Sequence, residues 1–111
     1  MISSSKAIAS PQRRVRVMSV KITGGTIALS GICANNFTVA KTGTGDYLLT
    51  PVIPFKQVPQ VFATPETASI VCHLGTITAS AIQLLTKNLS AAAADATFHV
   101  IIVGSDTPDQ I

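Results

Sequence analysis

The sequence predicts an all-β fold: an antiparallel β-sandwich, jelly-roll-like, with an extended N-terminal arm. Three observations predict it. β-Branched and apolar residues alternate in short runs, as in Arg14-Val15-Arg16-Val17 and Ser19-Val20-Lys21-Ile22. Turn signals recur at intervals of roughly 8–12 residues, the spacing of sandwich strands. The one helical candidate, Ala91-Ala92-Ala93-Ala94, is too short to nucleate a helix in water and supports one turn at most.

Each element follows in order. Residues 1–13 are Ser-rich, close on Pro11, and form an arm with no core of its own. Residues 14–111 form the single domain. The first strand runs from Arg14 to Ile22, with a slip of phase at Met18-Ser19 that suggests a bulge. Gly24-Gly25 marks a hairpin turn, and Thr26 to Ile32 makes the second strand. Phe37–Ala40 and Tyr47–Thr50 are the third and fourth. Pro51, Pro54 and Pro59 then bar both helix and central strand, so this stretch is an irregular crossing. Val61–Thr64 resumes as a strand. Ser69–Leu74 and Ala79–Thr86 are two more, hinged near Gly75. Lys87–Ala94 is a polar, Ala-rich loop. Phe98–Val103 is the most apolar run, closed by Gly104, and its continuity predicts a strand covered on both faces.

Composition narrows the function. The chain has 111 residues, which fits one domain. Charged residues make up 12%, about half the usual share, while 47% are hydrophobic. A surface so poor in charge suits a protein that hides part of itself against a partner, so an oligomer is expected. The net charge is +3 and unevenly placed: Lys6, Arg13, Arg14, Arg16 and Lys21 precede the first acidic residue, Asp46. Such an arm suits an acidic protein surface or nucleic acid, and a solvated tail is the other reading. Nucleic acid is not the expected partner, because neither a recognition helix nor interleaved aromatics accompany the charge. The acidic tail from Gly104 to Ile111 either docks on a neighbour through Ile111 or frays.

Cys33 and Cys72 lie in apolar surroundings without paired spacing and are expected as buried free thiols, in keeping with a reducing cytoplasm. The N-terminus lacks the long apolar segment of a signal peptide, and no stretch approaches the roughly 20 apolar residues that span a membrane.

The tempting chemical motifs weaken on inspection. Lys41-Thr42-Gly43-Thr44-Gly45-Asp46-Tyr47 has the parts of a phosphate loop, but the lysine precedes the glycines and a strand follows in place of a helix. It reads as a turn in which Gly43 and Gly45 supply positive φ and Asp46 bonds nearby backbone N–H groups. His73 and His99 sit within apolar strands and are expected to be structural. Cys72 and His73 are strand neighbours that face opposite ways, so they do not share a ligand. No acid–base–nucleophile set is readable. The chain is therefore expected not to be an enzyme, and to use no metal or other cofactor.

Three stretches together carry a resemblance: Gly43-Thr44-Gly45-Asp46-Tyr47-Leu48-Leu49, Pro59-Gln60-Val61-Phe62-Ala63-Thr64-Pro65, and Asp95 through Gly104. Their order, over roughly residues 37–104, resembles β-sandwich domains of tailed-phage virion proteins, which include capsid decoration (cement) proteins and tail-fibre domains. The resemblance implies a sandwich without catalytic residues, commonly a homotrimer, bound to a major capsid protein on the outer surface of a virion assembled in the host cytoplasm. One small domain with a basic arm suits a cement protein, with Lys6, Arg13, Arg14 and Arg16 as the capsid-docking residues. The alternative is a receptor-binding or tail-fibre knob that recognises host surface glycan. That role calls for an exposed aromatic to stack on a sugar, and Tyr47 is the only Tyr in a chain without Trp.

Overall fold

The computed structural model describes residues 15–105, and these build two four-stranded antiparallel sheets packed as a sandwich. The strands are β1 (Val15–Thr23), β2 (Ala28–Ser30), β3 (Phe37–Gly43), β4 (Asp46–Pro51), β5 (Gln60–Pro65), β6 (Ile70–Ile77), β7 (Ile82–Asn88) and β8 (Thr97–Ser105). Sheet A has the order β2-β1-β8-β5 and sheet B the order β3-β4-β7-β6. A 3-10 turn at Ala34–Asn36 precedes β3. The expected β-sandwich is therefore present. The arm, with Lys6, Arg13 and Arg14, lies outside the described residues, as does Ile111.

The longest ladder pairs β1 with β8 without interruption, from Val15 opposite Ser105 to Thr23 opposite Thr97. This corrects the bulge expected at Met18-Ser19. Met18, Val20 and Ile22 point inward in one unbroken alternation, and Val15 and Val17 point outward. The apparent slip of phase is a change in which face is apolar. Strand β8 alternates too: Phe98, Val100 and Ile102 are buried, while His99 and Ile101 are exposed. The expectation that β8 is covered on both faces does not hold among the described residues, because sheet A packs on sheet B through one face only.

Three boundaries move. The second strand shrinks from Thr26–Ile32 to Ala28–Ser30, since residues 24–27 are spent on the hairpin turn. The hinge expected at Gly75 falls instead at 78–81, where Thr78 N–H donates to the Ala81 carbonyl and the Thr78 hydroxyl accepts from the Ser80 and Ala81 N–H groups. Gly75 lies within β6, at a register irregularity between Leu74 and Ile77. The four alanines form no helical turn; Ala91 takes φ +65° and Ala93 bridges back to Lys87.

Between the sheets lie the inward residues of β1 and β8, together with Phe37, Tyr47, Leu49, Ile82 and Leu84 from sheet B. Cys33 and Cys72 are free and pack against this core, half-buried where full burial was expected, and burial pushes the Cys72 thiol up. The irregular crossing at 52–59 contributes Phe55, which closes the sandwich at the Val15 end. Its N–H donates to the Ala79 carbonyl at 2.9 Å, and its ring lies against Gly104, where any Cβ would collide with it. Burying an aromatic ring in a site with no room to collapse makes its removal costly. Phe55→Ala is expected to destabilise the domain by about 3–5 kcal/mol, read as a lower midpoint in denaturant unfolding.

Candidate interaction surface

The phosphate-loop lookalike is resolved by its partner, Asp95. Gly45 has φ +66°, and a Cβ there would collide with the Thr86 carbonyl oxygen, so the turn requires glycine on two counts. The Gly45 N–H donates to Asp95 Oδ1 at 2.8 Å, the Tyr47 hydroxyl donates to the same oxygen at 3.0 Å, and Lys41 Nζ meets Oδ2 at 2.5 Å. The lysine therefore serves a carboxylate of its own chain. The turn grips the segment that leads into β8, and Thr86 grips it again: its hydroxyl donates to the Ala94 carbonyl at 2.5 Å. Asp46 does not bond backbone N–H groups as expected; its Oδ1 accepts from Gln83 Nε2 at 3.2 Å.

This clamp is electrostatic as well as geometric. The Lys41 ammonium, followed by the Gly45 N–H, holds the Asp95 carboxyl below its ordinary value. Burial, followed by the hydrogen bond to Asp95, raises the Tyr47 hydroxyl. Tyr47 is fully buried with its ring 5.3 Å from that of Phe98, so it offers no sugar-stacking platform.

Arg16 shares the inward parity of β1 at its open end. Its guanidinium carbon lies 4.3 Å from the Phe55 ring centroid, and Nη2 donates to the Ile53 carbonyl at 3.3 Å. Of the four expected docking residues it is the one described, and the chain itself already engages it. His73 and His99, within apolar strands, are both exposed. His73 points out of β6 while Cys72 points in, the opposite-face relation expected. His99 Nε2 lies 3.4 Å from Glu66 Oε1, which also meets Lys21 Nζ at 3.1 Å. Lys21, followed by His99, lowers the Glu66 carboxyl. Among the described residues no three His, Cys, Asp or Glu side chains gather in a metal-holding group.

What the sequence left unnamed is the outer face of sheet A. The β1–β8 and β5–β8 registers set Val17 beside Val103, and Ser19, Ile101 and Phe62 in one row. Val15, Val17, Phe62 and Ile101 are 60%, 67%, 56% and 45% exposed. Val15, Val58 and Val103 line a common groove at the end of this face. Gln57, Gln60 and Ser105 line the same groove, and the ionisable residues Lys21, His99 and Glu66 stand at the other end. The sequence held a signal for this face in the outward parity of Val15, Val17, Ile101 and Val103, but the run at 98–103 suggested that both faces were covered.

Two outcomes test the clamp. Asp95→Ala leaves the Gly45 N–H and the Tyr47 hydroxyl short of an acceptor and is expected to cost about 1–3 kcal/mol in denaturant unfolding. The folded Asp95 carboxyl titrates below its unfolded value of about 3.9. Its contribution is therefore complete above that pH and is lost as pH falls through the folded value. A stability profile of Asp95→Asn against pH is expected to be flatter than wild type in that acid window.

Compared with known protein families, curated proteins and solved structures, the chain finds no match in any of the three.

Proposed function

We propose that this chain is a structural virion protein that decorates and stabilises a tailed-phage capsid as a cement protein, working as a homotrimer and without catalysis. The observation that carries the reading is the apolar outer face of sheet A, on a sandwich whose core is already complete on the other side of the same sheet. Such a face suits a protein built to be covered in an assembly. The virion context comes from the sequence resemblance, whose three stretches correspond to the β3–β4 turn, β5 and the clamped β8.

The mechanism is linkage. A protein that binds the assembled shell and not its separated subunits stabilises the shell by mass action. Weak contacts repeated over a lattice add through avidity. Lys6, Arg13 and Arg14 supply positive charge for acidic groups on the major capsid protein, and Arg16 anchors the base of the arm against Phe55 and Ile53.

The test is solution mass followed by co-sedimentation with empty heads of the virus that encodes the chain. The expected result is a species about three times the 11.5 kDa chain that pellets with heads to saturation. Deleting residues 1–13 is expected to weaken pelleting and to steepen its loss with salt less than in the full chain. Undiminished pelleting of the deletion would remove the arm from the reading. A species that ignores heads and binds host-cell surfaces would favour the receptor-binding knob.

A further inference from the structure

We infer that the groove at the Val15 end of sheet A is the seat of this chain's own C-terminal segment, residues 106–111, with Ile111 in its apolar part and Asp106 opposite Arg14. The contact forms within the free chain and does not depend on the assembly reading. The segment lies outside the described residues, and its place follows from the exit of β8, the groove and the residues themselves.

The exit is fixed. Ser105 stands opposite Val15 at the end of the β1–β8 ladder, and its carbonyl accepts from the Lys56 N–H at 2.9 Å. Strand β8 is therefore held on both flanks up to its last residue. Ser105 itself lines the groove, with Val15, Val58 and Val103 as the apolar wall and Gln57 and Gln60 as the polar one. The inner side of the exit is closed, because Phe55 lies against Gly104 and Arg16 lies over the ring. The outer side is the open one, and there the groove holds about 290 Å³, against roughly 30 Å³ for one water.

The residues beyond Ser105 suit that geometry. Thr107-Pro108-Asp109-Gln110 has proline at the second position of a four-residue turn, where its fixed φ is preset for types I and II. Such a turn brings its first and last Cα atoms within about 7 Å of each other. Ile111 is the next residue, and it returns over the groove beside the strand end that the chain has just left. The two glutamine amides supply donors and acceptors for the backbone of a chain lying there, which an all-apolar wall would leave unsatisfied.

Charge chooses this segment over the arm. The register sets Val15 opposite Ser105, so one step further sets Arg14 opposite Asp106. Opposite charges that face each other across a ladder stabilise the pairing. Asp106 and Asp109 thus follow β8 where Arg13 and Arg14 precede β1, acid beside base at one end of the sheet. The arm leaves from the same corner, but it would bring those arginines to a groove with no carboxylate among its lining residues. The acids that match them are in the tail.

The experiment is NMR of the full chain with labelled isoleucine and valine methyl groups. The Ile111 methyls are expected to show nuclear Overhauser contacts to Val15, Val58 and Val103. Ile111→Ser is expected to abolish these contacts and to shift the amide signals of Gln57, Val58 and Gln60. The Gly43 and Gly45 signals, in the remote β3–β4 turn, are expected to stay in place, which shows that the sandwich is intact. Asp106→Asn is expected to weaken the same contacts, and Ile8→Ser to leave them unchanged. A mixture of labelled and unlabelled chains, filtered for contacts between the two, is expected to show none from Ile111.

Ile111 methyls without contact to any groove valine would overturn the inference. So would contacts found between labelled and unlabelled chains, which give the tail to a neighbouring copy. Contacts from Ile8 in place of Ile111 would give the groove to the arm and overturn it as well.

Discussion

The β1–β8 ladder is the constraint on which the rest of the molecule depends. It joins the first and last described strands over nine residue pairs, from Val15 with Ser105 to Thr23 with Thr97. Because side chains alternate strictly along a strand, this one register decides the fate of both strands at once. It sends Met18, Val20, Ile22, Phe98, Val100 and Ile102 into the core and leaves Val15, Val17 and Ile101 outside. A slip by one residue would exchange the two sets. The pairing is also very distant in sequence, so it forms only after a large loop has closed, which makes it an intrinsically slow contact.

Two devices hold the ladder's ends in place, and neither is itself a strand. At the Val15 end the 52–59 crossing turns Phe55 inward over Gly104, with Arg16 above the ring. At the Thr23 end the β3–β4 turn holds Asp95 just before β8 begins. Gly24 allows this, because a Cβ there would collide with the Tyr47 hydroxyl and the Ala96 carbonyl. Glycine thus marks the places where backbone must approach a ring, a hydroxyl or a carbonyl closely. The polar groups of the clamp are mutually satisfied, which is what makes them tolerable beside a core of this kind.

The consequence for function is an unequal pair of surfaces on one sheet. The inner face of sheet A is covered by sheet B, and its outer face carries Val15, Val17, Val103, Ile101 and Phe62 among Ser19, Gln60 and Ser105 in its Val15 half. Exposed apolar area attracts whatever can cover it, and the low charge of the chain does little to oppose that. Lys21 and Glu66 pair at the polar end, with His99 beside them, so the face has a direction: more apolar where the arm joins, charged where β1 ends.

By itself the sequence determined the class of fold and most of the strands. Alternation is a local property of a pleated chain, so Val20, Ile22, Leu49 and Val100 could be assigned to a core without knowing their partners. The prolines at 54 and 59 and the glycine at 45 act through their own backbone limits and were legible for the same reason, whereas Gly43 does not supply the expected positive φ and Pro51 ends β4 opposite Phe37 in place of breaking it. Only the tertiary structure decided which face of an apolar strand is covered, because that depends on a sheet tens of residues away. It turned Met18-Ser19 from a bulge into regular strand and moved the β6–β7 hinge from Gly75 to 78–81. It also gave Lys41 to Asp95, Phe55 to Gly104, and the outer rows of sheet A to the surface. Each of these is a pairing between remote residues, and no local pattern records which remote residue a side chain will meet.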